Sequence, residues 1–207
     1  MELTFQIIIL IFSIVIHEVS HGYVADYLGD STARLKGRLT LNPIKHLSLF
    51  GSVILPVFLY ISTSGAFMFG WAKPVPYNPN NLKNPKKAAG LIGGAGPASN
   101  FIIAIIFAVI YRVVIGIPAM SSLLPLFSYI VLINIVLGIF NLVPLPPLDG
   151  SKVLFSIMPN SWHKLEQVLN QYGTFLLLFF IFFGFQLIVP IMFWIYQVLV
   201  GTPPMVW

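Results

Sequence analysis

Residues 3–28, LTFQIIILIFSIVIHEVSHGYVADYL, form an apolar run that continues without a proline or a glycine pair into a histidine-containing stretch and ends before Gly29. One helix of about 26 residues would be about 39 Å long at 1.5 Å per residue, enough to cross a hydrocarbon layer about 30 Å thick. The run therefore predicts a first membrane-spanning helix that carries His17, Glu18 and His21.

The composition is that of an integral membrane protein. Of the 207 residues, 57% are hydrophobic and only 8% are charged, against about 25% charged residues in soluble domains. The chain has no cysteine, which excludes disulfides, thiolate metal ligands and cysteine nucleophiles. The net charge of +5 lies in short segments between apolar runs. Such segments suit contact with a lipid bilayer, and we expect no nucleic-acid partner.

Later apolar runs predict three further membrane-spanning helices, at about Ala88–Ile117, Leu123–Val143 and Tyr172–Val200. Pro190 lies inside the last run, where a kink is expected. The fold class that follows is an all-α polytopic membrane protein. We expect one membrane-embedded domain over residues 1–207, with a core at 3–150 and a C-terminal helix at about 172–200.

The segment Gly51–Trp71 is ambiguous because Pro56, Gly70 and the glycine and serines of residues 62–65 interrupt it. Basic segments flank it on both sides, and such segments collect in the cytoplasm. About 21 residues are too few for two full crossings. We therefore expect a re-entrant, partly non-helical membrane segment, with an ordinary span as the alternative.

The stretch HEVSH places His17 and His21 about one turn apart on one helix face, with Glu18 beside them. Two imidazoles at this spacing can bind one Zn²⁺, and a neighbouring glutamate can take a proton from water. A coincidental match is the alternative, but titratable side chains in a membrane helix are costly and usually functional. The motif predicts a catalytic zinc site with His17 and His21 as ligands and Glu18 as general base.

A catalytic zinc site usually has a third protein ligand. Asp149 ends the apolar run FNLVPLPPLDG, where a lone carboxylate without a cation before Lys152 is costly unless paired or coordinated. We therefore prefer Asp149; the alternative is that it caps a helix over Gly150–Met158. The less favoured candidates lie too far along the first helix or among polar neighbours where solvation is expected: Glu2, Asp26, Asp30, His46, His163 and Glu166.

Two further motifs bear on this site. The prolines within residues 144–147 forbid a regular helix, so the chain can bend toward the first helix and bring Asn141 near the metal. Asn141 can contact the substrate or the oxyanion, or equally make a packing bond between helices. The stretch GGAGPASN, Gly93–Asn100, is expected to pack closely against the first helix, with Asn100 bonding across the contact.

Together, HEVSH, GPASN and NLVPLPPLDG resemble the three signatures of the site-2 protease family of intramembrane zinc metalloproteases. The segments LNPIKH and GWAKPVPYNP are similar to the compact branch of that family, which lacks PDZ domains. One departure is Ser48-Leu49, where relatives often carry aspartate and proline; it leaves the catalytic set intact. The resemblance implies that KPVP, Lys73–Pro76, belongs to an extended segment beside the substrate.

The resemblance also implies the zinc ligands His17, His21 and Asp149, the catalytic glutamate Glu18, and a substrate or oxyanion contact at Asn141. We expect a zinc metalloendopeptidase with one Zn²⁺ per chain, facing the cytoplasm. Its partners are membrane-protein substrates, cleaved within or near their transmembrane segments as in regulated intramembrane proteolysis. The alternatives are a non-proteolytic membrane binding module with a structural metal, against which the intact glutamate argues, and a metal transporter, whose ligands would be spread along several helices.

Overall fold

The computed structural model describes residues 3–62 and 73–203. Within these ranges every regular element is helical, and no strand is present. Four helical stretches of these residues are long and apolar enough to cross a membrane: Leu3–Tyr27, Pro85–Val114, Pro118–Leu142 and Asn160–Val200. The predicted all-α polytopic fold is confirmed, and the chain is an integral membrane protein. That it forms a single domain stays a prediction.

Eight α-helices follow one another along the described chain. They are α1 Leu3–Tyr27, α2 Thr32–Leu35, α3 Leu55–Ser62, α4 Pro85–Val114, α5 Leu124–Leu142, α6 Asp149–Ile157, α7 His163–Phe179 and α8 Phe185–Val200. Short 3₁₀ turns lie at Pro43–Lys45, Pro79–Asn81, Pro118–Leu123 and Asn160–Trp162. Two π-helical turns, Leu49–Ile54 and Phe180–Gly184, lead into α3 and α8.

Helix α1 ends where the sequence predicted. Gly29 has a left-handed backbone with φ of 109°, a conformation that glycine adopts without steric cost. The turn is closed by the Asp30 N–H, which donates to the Ala25 carbonyl at 2.9 Å. The chain therefore leaves the helix sharply after Tyr27.

The starts of two helices differ from the prediction. Helix α4 begins at Pro85 rather than near Ala88, because the Asn84 side chain accepts the Lys87 N–H and proline suits the first helical position. The last helical stretch begins at Asn160 rather than Tyr172. Its first part is amphipathic and polar, so an apolar run alone marks only its membrane portion. Its irregular turn lies at Phe180–Gly184, and α8 continues through Pro190.

Helix α4 is the centre of the fold and contacts α1, α5, α6 and α8. Its C-terminal half packs into a core shared with α5 and α8. The buried residues of this core are Ala104, Ala108, Tyr111, Val131, Ile135, Met192, Tyr196 and Val200. A buried hydrogen bond between the Ser128 and Tyr196 hydroxyls, 2.6 Å long, joins α5 to α8 in the same region.

Contacts between the helices define their relative directions. His17 meets Asn100 and His21 meets Ile92, so α1 and α4 are antiparallel. Ser13 meets Asn134, and the chain beyond α5 reaches the HEVSH turn, so α1 and α5 run in the same direction. The antiparallel α1 and α4 place the basic segments on both sides of Gly51–Trp71 at the same end of the helices, as expected if both lie in the cytoplasm.

The segment Gly51–Trp71 is described only in part. Its described portion is helical, and Leu49–Ser62 would be about 20 Å long, too short to cross the bilayer alone. Residues 63–72 lie outside the described ranges. The two flanks meet, because the Lys73 N–H donates to the His46 carbonyl at 2.8 Å. This contact supports a path that returns to the side it left, and re-entry stays a prediction.

Because the chain has no native cysteine, single cysteines can test this path. Ser31→Cys and Asn80→Cys, both at exposed positions on opposite sides of the segment, are expected to react with an impermeant thiol reagent only from the cytoplasmic side. Met120→Cys, at the other end of the helices, is the control and should react from the opposite side. Labelling of Ser31→Cys and Asn80→Cys from different faces would mean an ordinary span.

Candidate metal centre and active-site cleft

The structure brings the three predicted metal ligands together. The Nε2 atoms of His17 and His21 each lie 3.0 Å from Asp149 Oδ2. All three side chains are buried. Helix α1 supplies both imidazoles from one face, and the first residue of α6 supplies the carboxylate. Within the described ranges, this is the one group of three histidine or acidic side chains close enough to hold a metal ion.

Asp149 does not cap a helix. Helix α6 begins at Asp149 itself, and no side chain caps its start. Instead, Oδ1 accepts a hydrogen bond from Lys152 Nζ at 2.9 Å, while Oδ2 faces the two histidines. From the sequence, Lys152 was only the nearest cation; the spacing of three residues on a helix was the signal that it could reach back to Asp149.

The donor set fits zinc. Zinc accepts imidazole nitrogen and carboxylate oxygen at about 2.0–2.2 Å, and atoms 3.0 Å apart can contact one such ion. The other ring nitrogen of each histidine is engaged as well: Nδ1 lies 2.6 Å from Asn100 Oδ1 in His17 and 2.6 Å from the Ile92 carbonyl in His21. Such outer contacts are typical of histidines that bind a metal.

Glycines of α4 allow these groups to meet. A Cβ atom on Gly96 would lie 2.5 Å from Nε2 of both histidines, and one on Gly93 would lie 3.0 Å from the Asp149 carbonyl oxygen. The sequence predicted close packing of this stretch against the first helix. In the structure Gly96 faces the histidines of α1, whereas Gly93 and Gly90 face α6.

Glu18 lies beside a non-helical segment, Lys73–Asn78, and lines a cavity together with Pro74, Val75 and Tyr77 of this segment. The buried Val75 donates its N–H to Glu18 Oε2 at 3.0 Å. Arg38 Nη2 donates to the Lys73 carbonyl at 2.6 Å and holds one end of the segment. The sequence identified this segment but gave no sign of its bond to Glu18.

Asp30 holds the other end of the segment. This fully buried carboxylate accepts the Asn78 N–H at 2.6 Å and the Asn81 amide at 2.7 Å, and it also accepts from Thr32. Burial disfavours the charged form of Asp30, but the hydrogen bonds outweigh this cost and lower its pKa below the ordinary aspartate value. Asp30 is therefore a structural anchor and lies outside the metal cluster.

The other candidate ligands are also engaged elsewhere. Asp26 pairs with Arg34, and the exposed His163 bonds to Gln167. The expectation that His46 is solvated was wrong, since His46 is 1% exposed and its Nε2–H donates to the Thr40 carbonyl at 2.7 Å. Glu166 lies in the first turn of α7, away from the cluster, and Glu2 lies outside the described residues.

A cavity of about 180 Å³ unites the predicted site residues. His17, Glu18, His21, Asn141 and Asp149 all line it, together with Val75 and Tyr77. The Asn141 amide donates to the Leu137 carbonyl of its own helix at 2.9 Å. The expected alternative, a packing bond from Asn141 to another helix, is absent among the described residues.

Comparison with known proteins agrees with this geometry. The family model described as Peptidase family M50 matches residues 5–123 and 114–183, most of the chain. The chain belongs to peptidase family M50. The resemblance to site-2 proteases is thereby confirmed, and the protein is a zinc metallopeptidase that requires Zn²⁺.

Relatives of this M50 peptidase carry the same kind of name. YwhC of Bacillus subtilis, named as a zinc metalloprotease, is 40% identical over 183 residues, which cover 84% of this chain and 80% of that protein. Zinc metalloprotease MJ0392 of Methanocaldococcus jannaschii is 28% identical over 183 residues, 86% of this chain and 42% of that protein. No solved structure gives a significant match.

Gly96 provides a direct test of the cluster. Gly96→Ala is expected to displace both imidazoles, because overpacking costs about 1–3 kcal/mol, and to weaken zinc binding of this M50 peptidase more than about tenfold. Gly94→Ala is the matched control, since its added Cβ would meet only a Val153 methyl at 3.8 Å. Zinc titration of both variants after chelation measures the difference. Equal affinities would mean that Gly96 does not border the metal.

Asp30 predicts a pH-dependent stability. Because its folded-state pKa is lowered, the ionised carboxylate stabilises the fold above the unfolded-state pKa of about 3.9, and this stabilisation is lost as pH falls through the folded-state value. Asp30→Asn should destabilise the protein near neutral pH by about 1.5–3 kcal/mol, with the difference shrinking in acid. Asp26→Asn, which loses an ion pair to an exposed arginine, should change much less. The free energy of unfolding of each variant and the parent is measured in detergent, near neutral pH and in acid. If Asp30→Asn is destabilised by the same amount at both, the prediction is contradicted.

Proposed function

We propose that this M50 peptidase hydrolyses peptide bonds within or near the transmembrane segments of membrane proteins. One Zn²⁺ per chain would be held by His17, His21 and Asp149. The observation that carries the proposal is the convergence of these three buried side chains in one cavity between membrane-spanning helices. A peptidase site between such helices would act on polypeptide that reaches it from the bilayer.

Zinc bound in this position supplies Lewis acidity, which acidifies water and polarises a carbonyl group. The chain's own contribution to proton transfer is Glu18. One carboxylate oxygen of Glu18 accepts the Val75 N–H, which fixes the side chain, and the other has no partner among the described residues. That oxygen can accept a proton from the attacking water and deliver it to the nitrogen of the leaving amine.

We propose that Asn141 stabilises the oxyanion that forms when the peptide carbonyl is attacked. One N–H of its amide is bonded to the Leu137 carbonyl, which holds the side chain in one orientation. The second N–H remains for the cavity, where it can donate to the oxygen that becomes negatively charged when the peptide carbonyl is attacked. A donor already fixed by a helix reorganises little during the reaction.

The segment Lys73–Asn78 suggests how a substrate is held. A transmembrane helix hides its peptide bonds in internal hydrogen bonds, so the cleaved stretch must unwind and become extended. A non-helical backbone that is fixed at both ends, by Arg38 and Asp30, can pair with such a stretch by strand addition. Val75 and Tyr77, which line the same cavity as the proposed ligands, would then lie against the substrate.

We further propose that the cavity faces the cytoplasm. His21 lies near the end of α1 that leads into the basic segment carrying Arg34, Lys36 and Lys45. The start of α4, which follows Lys83 and contains Lys86 and Lys87, lies at the same end of the helices. Positive residues flanking membrane helices favour the cytoplasmic side.

Glu18→Gln tests the mechanism and the substrate class together. The variant should retain zinc, because Glu18 is not a ligand, and should lose about 10²- to 10⁴-fold in cleavage rate. The assay uses purified protein in liposomes with single-pass membrane substrates, and zinc is measured on the same samples. Glu166→Gln, remote from the cavity, is the control and should cleave at the parental rate.

Two results would contradict the proposal in different ways. Cleavage by Glu18→Gln at the parental rate would remove Glu18 from the reaction. Cleavage of soluble peptides but of none of the single-pass substrates would leave the peptidase chemistry intact and refute the proposed substrate class.

A further inference from the structure

A buried chain of polar side chains connects His17 to the middle of the helix bundle. Asn100 Oδ1 lies 2.6 Å from His17 Nδ1, and Asn100 Nδ2 donates to Asn134 Oδ1 at 2.8 Å. Asn134 Nδ2 donates in turn to the Ser13 hydroxyl at 3.0 Å. Asn100 and Asn134 are 0% exposed and Ser13 is 4% exposed. The chain links α4, α5 and α1 beside the proposed metal ligands.

The direction of every bond in this chain follows from one backbone group. Asn134 Nδ2 also lies 2.9 Å from the Ile130 carbonyl, which can only accept. The nitrogen of the Asn134 amide must therefore face Ile130, and its oxygen must face Asn100. Asn100 can bond to that oxygen only through its own nitrogen, so its oxygen faces His17.

The same logic fixes the proton on the imidazole. Since Asn100 presents a carbonyl oxygen, Nδ1 of His17 must carry a hydrogen, so Nε2, 3.0 Å from Asp149 Oδ2, is the ring nitrogen that can give its lone pair to a zinc ion. In His21, Nδ1 also carries a hydrogen, because its partner is the backbone carbonyl of Ile92, which can only accept. In both histidines, Nε2 is thus the ring nitrogen left for the metal.

We propose that Asn100 is a positioning residue that holds His17 in the Nδ1–H tautomer and aims its Nε2 at the zinc ion, with Asn134 setting the orientation of Asn100. This inference rests on the proposed ligand set. It assigns to the asparagine of the GPASN stretch more than a packing bond between helices. Outer contacts of this kind change metal affinity by about 10- to 100-fold when they are removed.

The test measures tautomer and affinity separately. Full-length protein with ¹⁵N-labelled histidine is studied in detergent, zinc-bound and after chelation, and the His17 ring nitrogens are assigned by comparison with His17→Ala. The parent should show a protonated Nδ1. Asn100→Leu should lose this single tautomer and bind zinc about 10- to 100-fold more weakly. Asn100→Asp keeps an acceptor for Nδ1–H and should restore the tautomer, with zinc affinity within a few-fold of the parent.

Two further variants separate positioning from packing. Asn134→Ala leaves His17 and its partner in place but frees the Asn100 amide to rotate. Asn134→Ala should give mixed His17 tautomers and a smaller loss of zinc affinity than Asn100→Leu. It also tests the inference if Asn100→Leu does not fold. Ser128→Ala removes an equally buried bond between helices, and should lower stability without changing the tautomer or the affinity.

The outcomes distinguish this inference from the proposed function. If both Asn100→Leu and Asn134→Ala keep the Nδ1–H tautomer and parental zinc affinity, the polar chain only packs the helices and the inference is overturned. If His17→Ala binds zinc as the parent does, the ligand set is wrong. The tautomer measurement in chelated protein still decides what Asn100 does to His17 in that case.

Discussion

The contact of Asp149 with the two histidines is the constraint around which the described helices are arranged. Two imidazoles and a carboxylate buried among membrane helices are each costly when unpaired. Here Oδ2 of Asp149 lies 3.0 Å from both Nε2 atoms, Oδ1 accepts from Lys152, and each Nδ1 has an oxygen partner. The free-energy cost of burying these three side chains is offset only when all of these contacts are made together.

Small side chains on α4 are the means by which this contact is reached. Gly90 and Gly93 admit α6, and Gly96 leaves the space that the imidazole rings fill. Farther along the same helix, alanines pack against α5 and α8 in an apolar core. One helix thus combines close approach at the metal end with ordinary apolar packing at the other end. In a bilayer, where lipid competes for apolar surface, such close packing is a main source of helix association.

Much of this arrangement could be predicted from the sequence because its signals are local. The spacing within HEVSH, the lone carboxylate of Asp149 and the glycine that ends α1 each depend on a few neighbouring residues. The bond from Val75 to Glu18, the burial of His46 and the chain from Asn100 to Ser13 could not be predicted in this way. Each depends on partners far apart in the sequence, which only the packed helices select.

The distance along the chain between the proposed ligands has a consequence for biosynthesis. His17 and Asp149 are separated by 132 residues, and ribosomes add about 5–20 residues per second, so on the order of ten seconds separate the emergence of the histidines from that of the aspartate. Throughout that interval the nascent chain carries an incomplete cluster. With this ligand set, peptidase activity could arise only after Asp149, which follows α5 in the chain, has been synthesised. A chain that terminates before Asp149 would then leave in the membrane a fragment that lacks the third ligand and cannot complete the metal site.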